Sequence, residues 1–336
     1  MKVRCHHAGM HFLRWCTTAV LLWTAVPSAS AAVDAAITLP PGFVTHPDGR
    51  APIESLFRTY LGLVGLGWTA EVVAHSNPVE AAAALPIIAL RSPTRGPAIW
   101  ILAGIHGEEP AGPNAIAMAI DDIARLAARR PVVLMPLLNP QGYVRNWRYL
   151  NVAVYSETVD GQSVGDSSHL LPSAENSDRP RAAAASSPEA DAITAFILRL
   201  RADYPPLYSI DLHEDNLIDQ GYVYSQGVEG EKDVLAIDAV RVLKENGVPI
   251  KMDGRTRFDE PISGGIIGPV VDSSIDELMS AQKVVSNGCA QAGPAARTVL
   301  VFETPAAALA LERRVAAHAA LLRRIADLLA PALPQP

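Results

Sequence analysis

Cysteine is nearly missing from this sequence, with three in 336 residues, at positions 5, 16 and 289. The first two lie in a leader-like start, where Lys2, Arg4 and Arg14 accompany the apolar run TTAVLLWTAV and the small residues SASAA. That run is too short to cross a bilayer as a stable helix, so residues 1–31 read as a secretory signal cleaved near Ala31. The mature chain then keeps Cys289 alone, which excludes an internal disulfide and leaves stability to the core. Basic charge is scarce as well. The leader removes three basic and no acidic residues, which takes the formal net charge from −7 to −10. Without clusters of Lys and Arg to neutralise phosphates, the chain is no nucleic-acid binder. Aromatics are 6% of residues, too few for the stripes of a sugar-binding or adhesion module. No second long apolar run follows, so the expected product is secreted or periplasmic, with no stable membrane anchor after cleavage.

What the chain does have is 49% apolar and 19% charged residues, the balance of a globular protein. Residues 32–55, rich in Pro and Gly, read as an N-terminal extension too short for a large inhibitory prodomain, and 56–332 as a single catalytic domain. The apolar, β-branched runs LPIIALRS, PAIWILAG, PVVLMPLL, LYSIDLH, GYVYSQ and RTVLVFET predict strands. Helical patterns fall between them at Ala111–Arg129, Pro188–Tyr204, Glu231–Asn246 and Ala306–Leu329. Strands apolar on both faces, alternating with helices, predict an α/β fold with a mostly parallel sheet covered on both sides. Residues 149–187, rich in Ser, Asp, Gly, Pro and Ala, interrupt this rhythm as a long loop.

Ligands of open α/β sheets gather at the carboxyl ends of strands. Four predicted strands end in reactive groups: His106 to Glu109, Asn139, His213 and Glu303. The spacing His106-x-x-Glu109 lets an imidazole and a carboxylate converge on one cation from a tight turn, a donor pair that zinc accepts. A catalytic zinc needs a third protein ligand, and His213, directly after an apolar strand, is the natural choice over His46, His75 and His318. Glu108 is expected to point to solvent. Asp211 is expected on the face of its strand opposite His213, as a buried structural carboxylate or a group orienting the site.

The stretches GIHGEEPAG, LNPQGYVRNWR, DLHED and VFETP resemble, in order and approximate spacing over Ala98 to Pro305, the zinc metallocarboxypeptidase superfamily. That superfamily includes carboxypeptidase A-like enzymes and the succinylglutamate desuccinylase/aspartoacylase branch. The resemblance implies a mixed central sheet of about eight strands and one zinc ion per chain, held by His106, Glu109 and His213. It also implies Glu303 as general base and acid, and Arg148 as the catalytic arginine, with Arg145 the competing choice; Gln141 stands where the family has Asp. These types suit amide hydrolysis, since a carboxylate can carry the proton to the leaving amine and a guanidinium can donate to the oxyanion. The family's Asn-Arg pair, which holds a substrate carboxylate, is missing: Asp166 aligns, but Ser168 and His169 follow. His169, with Asn139 and Arg145, is therefore a candidate substrate-binding residue. The expected function is a zinc metallocarboxypeptidase acting on peptides. An amidohydrolase acting on a small N-acyl amino acid is the alternative, and a catalytically inactive zinc-binding recognition domain the third reading.

Overall fold

The computed structural model describes residues 37–40, 43–76, 84–150, 165–286 and 288–329. The expected signal, the start of the extension and residues 151–164 of the long loop lie outside them. The strands are β1 (Thr69–Ser76), β2 (Leu85–Arg91), β3 (Ala98–Ala103), β4 (Val132–Met135), β5 (Pro206–Asp215), β6 (Tyr222–Ser225), β7 (Asp253–Arg255), β8 (Pro261–Ser263), β9 (Ile266–Ile267), β10 (Lys283–Ser286), β11 (Cys289–Ala292) and β12 (Thr298–Pro305). All but β10 and β11, which pair with each other, form one ten-stranded sheet in the order β1-β2-β4-β3-β5-β12-β6-β9-β8-β7.

Period-two alternation explains why this sheet has a core on each face. Ile99, Ile101 and Ala103 of β3 enter one core, while Ala98, Trp100 and Leu102 enter the other. The first core is closed by α2 (Ala111–Met118), α3 (Ile120–Ala127), α6 (Val234–Glu245) and α8 (Leu311–Leu329). The second is closed by α5 (Pro188–Leu200) and α7 (Ile275–Ser280). Strand β5 breaks the symmetry. Tyr208, Ile210 and Leu212 are apolar and fill the first core, whereas Ser209, Asp211 and His213 give the second face polar groups just where the strand ends.

The sheet is mixed as expected, but has ten strands rather than about eight. β4, β3, β5 and β12 run parallel at its centre, and antiparallel neighbours dominate the flanks. Strands β7, β8 and β9 are two or three residues long, too short to carry a period, and Gly264 and Gly265 turn the chain between β8 and β9 at positive φ. The expected helix 111–129 is divided at Ala119, which leaves helical geometry at φ −103° and ψ 18°. The extension gives way at Ile53 to α1 (Ile53–Leu61), which buries Ile53, Leu56, Phe57 and Tyr60. Among the described residues no helix is long and apolar enough to cross a membrane.

Candidate metal centre

The turn after β3 carries His106 and Glu109, and the end of β5 carries His213. Glu109 lies between the two imidazoles, its Oε1 2.8 Å from His106 Nδ1 and its Oε2 3.0 Å from His213 Nδ1. The backbone N–H of Glu214 donates to the same Oε2. The imidazole rings stand nearly edge-on at 4.9 Å, and one donor atom from each of the three residues lies within 4.8 Å of the others. Two imidazole nitrogens and a carboxylate match a catalytic zinc site, which takes three protein ligands.

Electrostatics fit the same occupant. Burial opposes charge on His213, yet Asp211 and Glu109 raise its pKa well above the usual value. Burial would raise Glu109, yet His106 and His213 hold it well below the carboxylate range. His106 is lowered, by burial and by the Arg148 charge. The carboxylates of Asp211 and Glu109 thus favour positive charge at His213, whereas His106 is held neutral, the form in which an imidazole binds a metal.

Asp211 corrects one expectation. A strand returns to the same face every second residue, so Asp211 and His213 share a face, and Asp211 Oδ2 is 3.3 Å from His213 Nε2. A carboxylate behind a ligating imidazole fixes its ring and tautomer. Glu108 is corrected too: it accepts from Arg148 Nη1 at 3.0 Å instead of facing solvent.

Glu303 sits on β12 in direct register with His213. Its Oε2 is buried with no hydrogen-bond partner among the described residues. Burial raises its pKa well above the ordinary value, with Glu109 and Asp215 adding to the rise and His213 and Arg148 opposing it. Glu214 is held elsewhere, accepting from the Ala111 N–H and pairing with Arg314.

Arg148 reaches the site through a compact loop. Asn139 caps α4 (Pro140–Arg145) by accepting from the Gly142 N–H, and its amide donates to the carbonyls of Arg148 and Tyr149. Asn146, left-handed at φ 58°, ends the helix and turns the chain back. Gly107 lets this loop lie against the ligand turn: a Cβ there would fall 2.1 Å from the Gly142 carbonyl carbon. Arg148 Nη1 then donates to Glu109 at 2.8 Å, while its Nε is buried without a partner among the described residues. Arg50, unremarked in the sequence, ties these pieces together. Its buried guanidinium donates to the carbonyls of Gly107 and Tyr143 and to Asn146 Oδ1.

These groups open on a cavity of about 350 Å³, within the usual range for small-ligand sites of about 300 to 1,000 Å³. It is lined by His106, Glu109, Arg148, His213 and Glu303, and also by Asp166, Asp276, Tyr222 and Tyr224, which pattern reading did not single out for a site. Burial pushes Asp166 up to about 6, against a hydrogen bond from Ser186. Three proposed substrate-binding residues do not line it. Asn139 is spent on the cap, and Arg145 ends α4 away from the cavity. His169 Nε2 is 3.2 Å from Thr194 Oγ1 and 3.6 Å from Asp191, turned toward α5. His318 is wholly buried, its Nε2 3.0 Å from Thr304 Oγ1, and does not line the cavity.

No family model matches the sequence, and no curated protein matches it. Solved structures do. A provisionally named metallopeptidase from Shewanella baltica OS155 aligns at TM-score 0.64 and 23% identity over 83% of this chain and 92% of its own. The fold is that of the metallocarboxypeptidases. The carboxypeptidase A of Helicoverpa armigera aligns at TM-score 0.53 and 14% identity, over 85% of this chain and 75% of its own. A metallo-carboxypeptidase from Burkholderia cenocepacia gives TM-score 0.51 and 16% identity, over 82% and 69%.

Proposed function

We propose that this protein is a zinc-dependent hydrolase that cleaves an amide bond in peptides, in the manner of a metallocarboxypeptidase, and that residues 1–31 act as a secretory signal that takes it outside the cytoplasm. The observation that carries this reading is the convergence of His106, Glu109 and His213 beside Glu303, in register across β5 and β12. Zinc held by the three residues would polarise a carbonyl and lower the pKa of water. Glu303, a stronger base for being buried, takes the proton of the attacking water and passes it to the leaving nitrogen. The unpartnered Nε–H of Arg148 offers a donor to the oxygen on which charge develops. Asp211 keeps His213 in orientation. Purified mature protein should bind about one zinc per chain, and His213→Ala should lose metal and hydrolysis together. Full zinc occupancy in that variant would remove His213 from the ligand set.

A broader amidohydrolase is favoured by one specific observation: Arg148 is the one arginine or lysine among the described residues that lines the cavity. A carboxypeptidase needs a reader for the free carboxylate, and Arg148 is already engaged by Glu108 and Glu109. Matched peptides with free and amidated C-termini separate the two readings. A carboxypeptidase hydrolyses the free acid selectively, and the broader enzyme hydrolyses both.

A further inference from the structure

Arg50 touches neither the cavity nor the candidate metal ligands' side chains, yet each of its five N–H groups has an acceptor. Its Nε and Nη2 grip the two oxygens of Asp48, its Nη1 donates to the Gly107 carbonyl at 2.9 Å and to that of Tyr143, and its Nη2 also reaches Asn146 Oδ1 at 2.6 Å. The side chain is wholly buried over the Tyr143 ring. The next residue is anchored as well, since the Ala51 N–H donates to Asn114 Oδ1 of α2 and the Ala51 carbonyl accepts from the Tyr143 hydroxyl. The acceptors outside the extension belong to two separate pieces of the site. Gly107 lies between His106 and Glu109, whereas Tyr143 and Asn146 belong to the loop that carries Arg148. The Tyr143 carbonyl falls in the last turn of α4, where helix carbonyls run out of intrahelical donors; the Trp147 N–H goes to Gly142 instead. Asn146 holds the left-handed turn two residues before Arg148. These two pieces are not held equally. The ligand turn is also fixed by β3 before it, α2 after it and the Glu214 N–H on Glu109. The Arg148 loop has the Asn139 cap and the pairs of Arg148 with Glu108 and Glu109, so loss of Arg50 releases the loop more than the turn.

We propose that Arg50 is a positioning residue for hydrolysis: it clasps the Arg148 loop to the turn of His106 and Glu109, and so fixes where the oxyanion donor stands relative to the metal. Residues 48–51 are then part of the working site and not a cover on the surface. This rests on the reading of the protein as an amide hydrolase and adds a residue that meets neither metal nor substrate. Arg50→Lys keeps the charge but loses the planar fork, so it cannot serve both pieces at once. In the zinc-loaded protein its kcat should fall by about 30- to 100-fold, with KM and zinc affinity within about threefold, because a misplaced catalytic group costs rate. A double-mutant cycle separates positioning from general damage. In an Arg148→Met background, Arg50→Lys should lower kcat by less than about threefold further, since the group it positions is already gone. An undiminished second loss would overturn the proposal and leave the hydrolase standing. Hydrogen exchange gives a readout independent of turnover: in Arg50→Lys, residues 139–149 should exchange at least about tenfold faster, with β3 and β5 unchanged. Should that variant fail to fold, Asp48→Asn, which slackens the same guanidinium without removing it, should show the same exchange pattern and a loss of about three- to tenfold in kcat. If the parent protein cleaves no amide, the hydrolase reading fails, and exchange still decides the clasp. Unchanged exchange over 139–149 in either variant would overturn it.

Discussion

His213 and Glu303 owe their places in the cavity to strands, Asp166 and Asp276 to loops and a six-residue helix, and the forces differ accordingly. Glu303 pairs in register with His213, and Val301 with Asp211, across a parallel ladder buried on both faces. Displacing either side chain means slipping a strand, which would turn a row of core residues to the wrong face. The loop-borne groups depend on individual polar contacts. The Ser167 N–H donates to the Ser273 carbonyl, Arg181 spans Glu277 and Ser273, and Ser186 donates to Asp166. The strand-borne groups are thus held by the whole ladder, while the loop-borne groups are held by contacts that single substitutions can remove.

The strongest way to sharpen this contrast is Glu303→Gln, which keeps the shape and removes the base. Zinc content should be unchanged while turnover falls by about 10²-fold or more. Near-normal turnover would make Glu303 structural and break the assignment of the proton to the strand-borne half. Next in size is Asp211→Asn. A carboxylate behind a ligating imidazole contributes about 10- to 100-fold in metal affinity, so a chelator competition should register a loss in that range. An unchanged affinity would mean that the 3.3 Å approach of Asp211 to His213 has no influence on the ligand.

The division also explains what could be read in the sequence. β3, β5 and β12 are bounded apolar, β-branched runs that stand out in the letters, so the strand ends and the residues just after them could be placed, and with them His106, Glu109, His213 and Glu303. Asp211 failed only through misapplied parity, since two residues along a strand restore the same face. His169 failed for a different reason. Its loop has no period, and alignment by family spacing cannot reveal that Thr194 and Asp191 of α5 take up its imidazole. Arg50 and Asp276 had no signal at all: an arginine in a Pro- and Gly-rich extension and an acid in the first turn of a short helix both read as surface residues.

Asn139 tests the boundary between the halves, because it was a candidate contact for substrate and is instead a cap. Asn139→Ala removes the acceptor for the Gly142 N–H and the donors to the Arg148 and Tyr149 carbonyls. The expected cost is about 1 to 2 kcal/mol in denaturant unfolding, with a fall in kcat through the misplaced Arg148 and little change in zinc affinity. A selective rise in KM with unaltered stability would return Asn139 to the substrate.

The smallest effect belongs to His169. Were it the reader of a substrate carboxylate, KM for free-acid peptides would rise between about pH 6 and pH 8 as the imidazole lost its proton. Its position predicts otherwise, because it does not line the cavity and its Nε2 lies against Thr194. His169→Gln should therefore alter KM for free and amidated peptides equally, within about twofold at either pH. Its trace should appear in stability. Burial lowers the His169 pKa below its usual value of 6.5, with Asp191 opposing. Above that value the imidazole is neutral in folded and unfolded chains and contributes no pH dependence. As the pH falls below it, the unfolded chain takes up the proton first, so the native protein loses stability toward acid. His169→Gln should flatten that part of the pH–stability curve. A selective rise in KM for the free acid would instead put His169 back in contact with substrate, and would show that the loop-borne half moves when substrate binds.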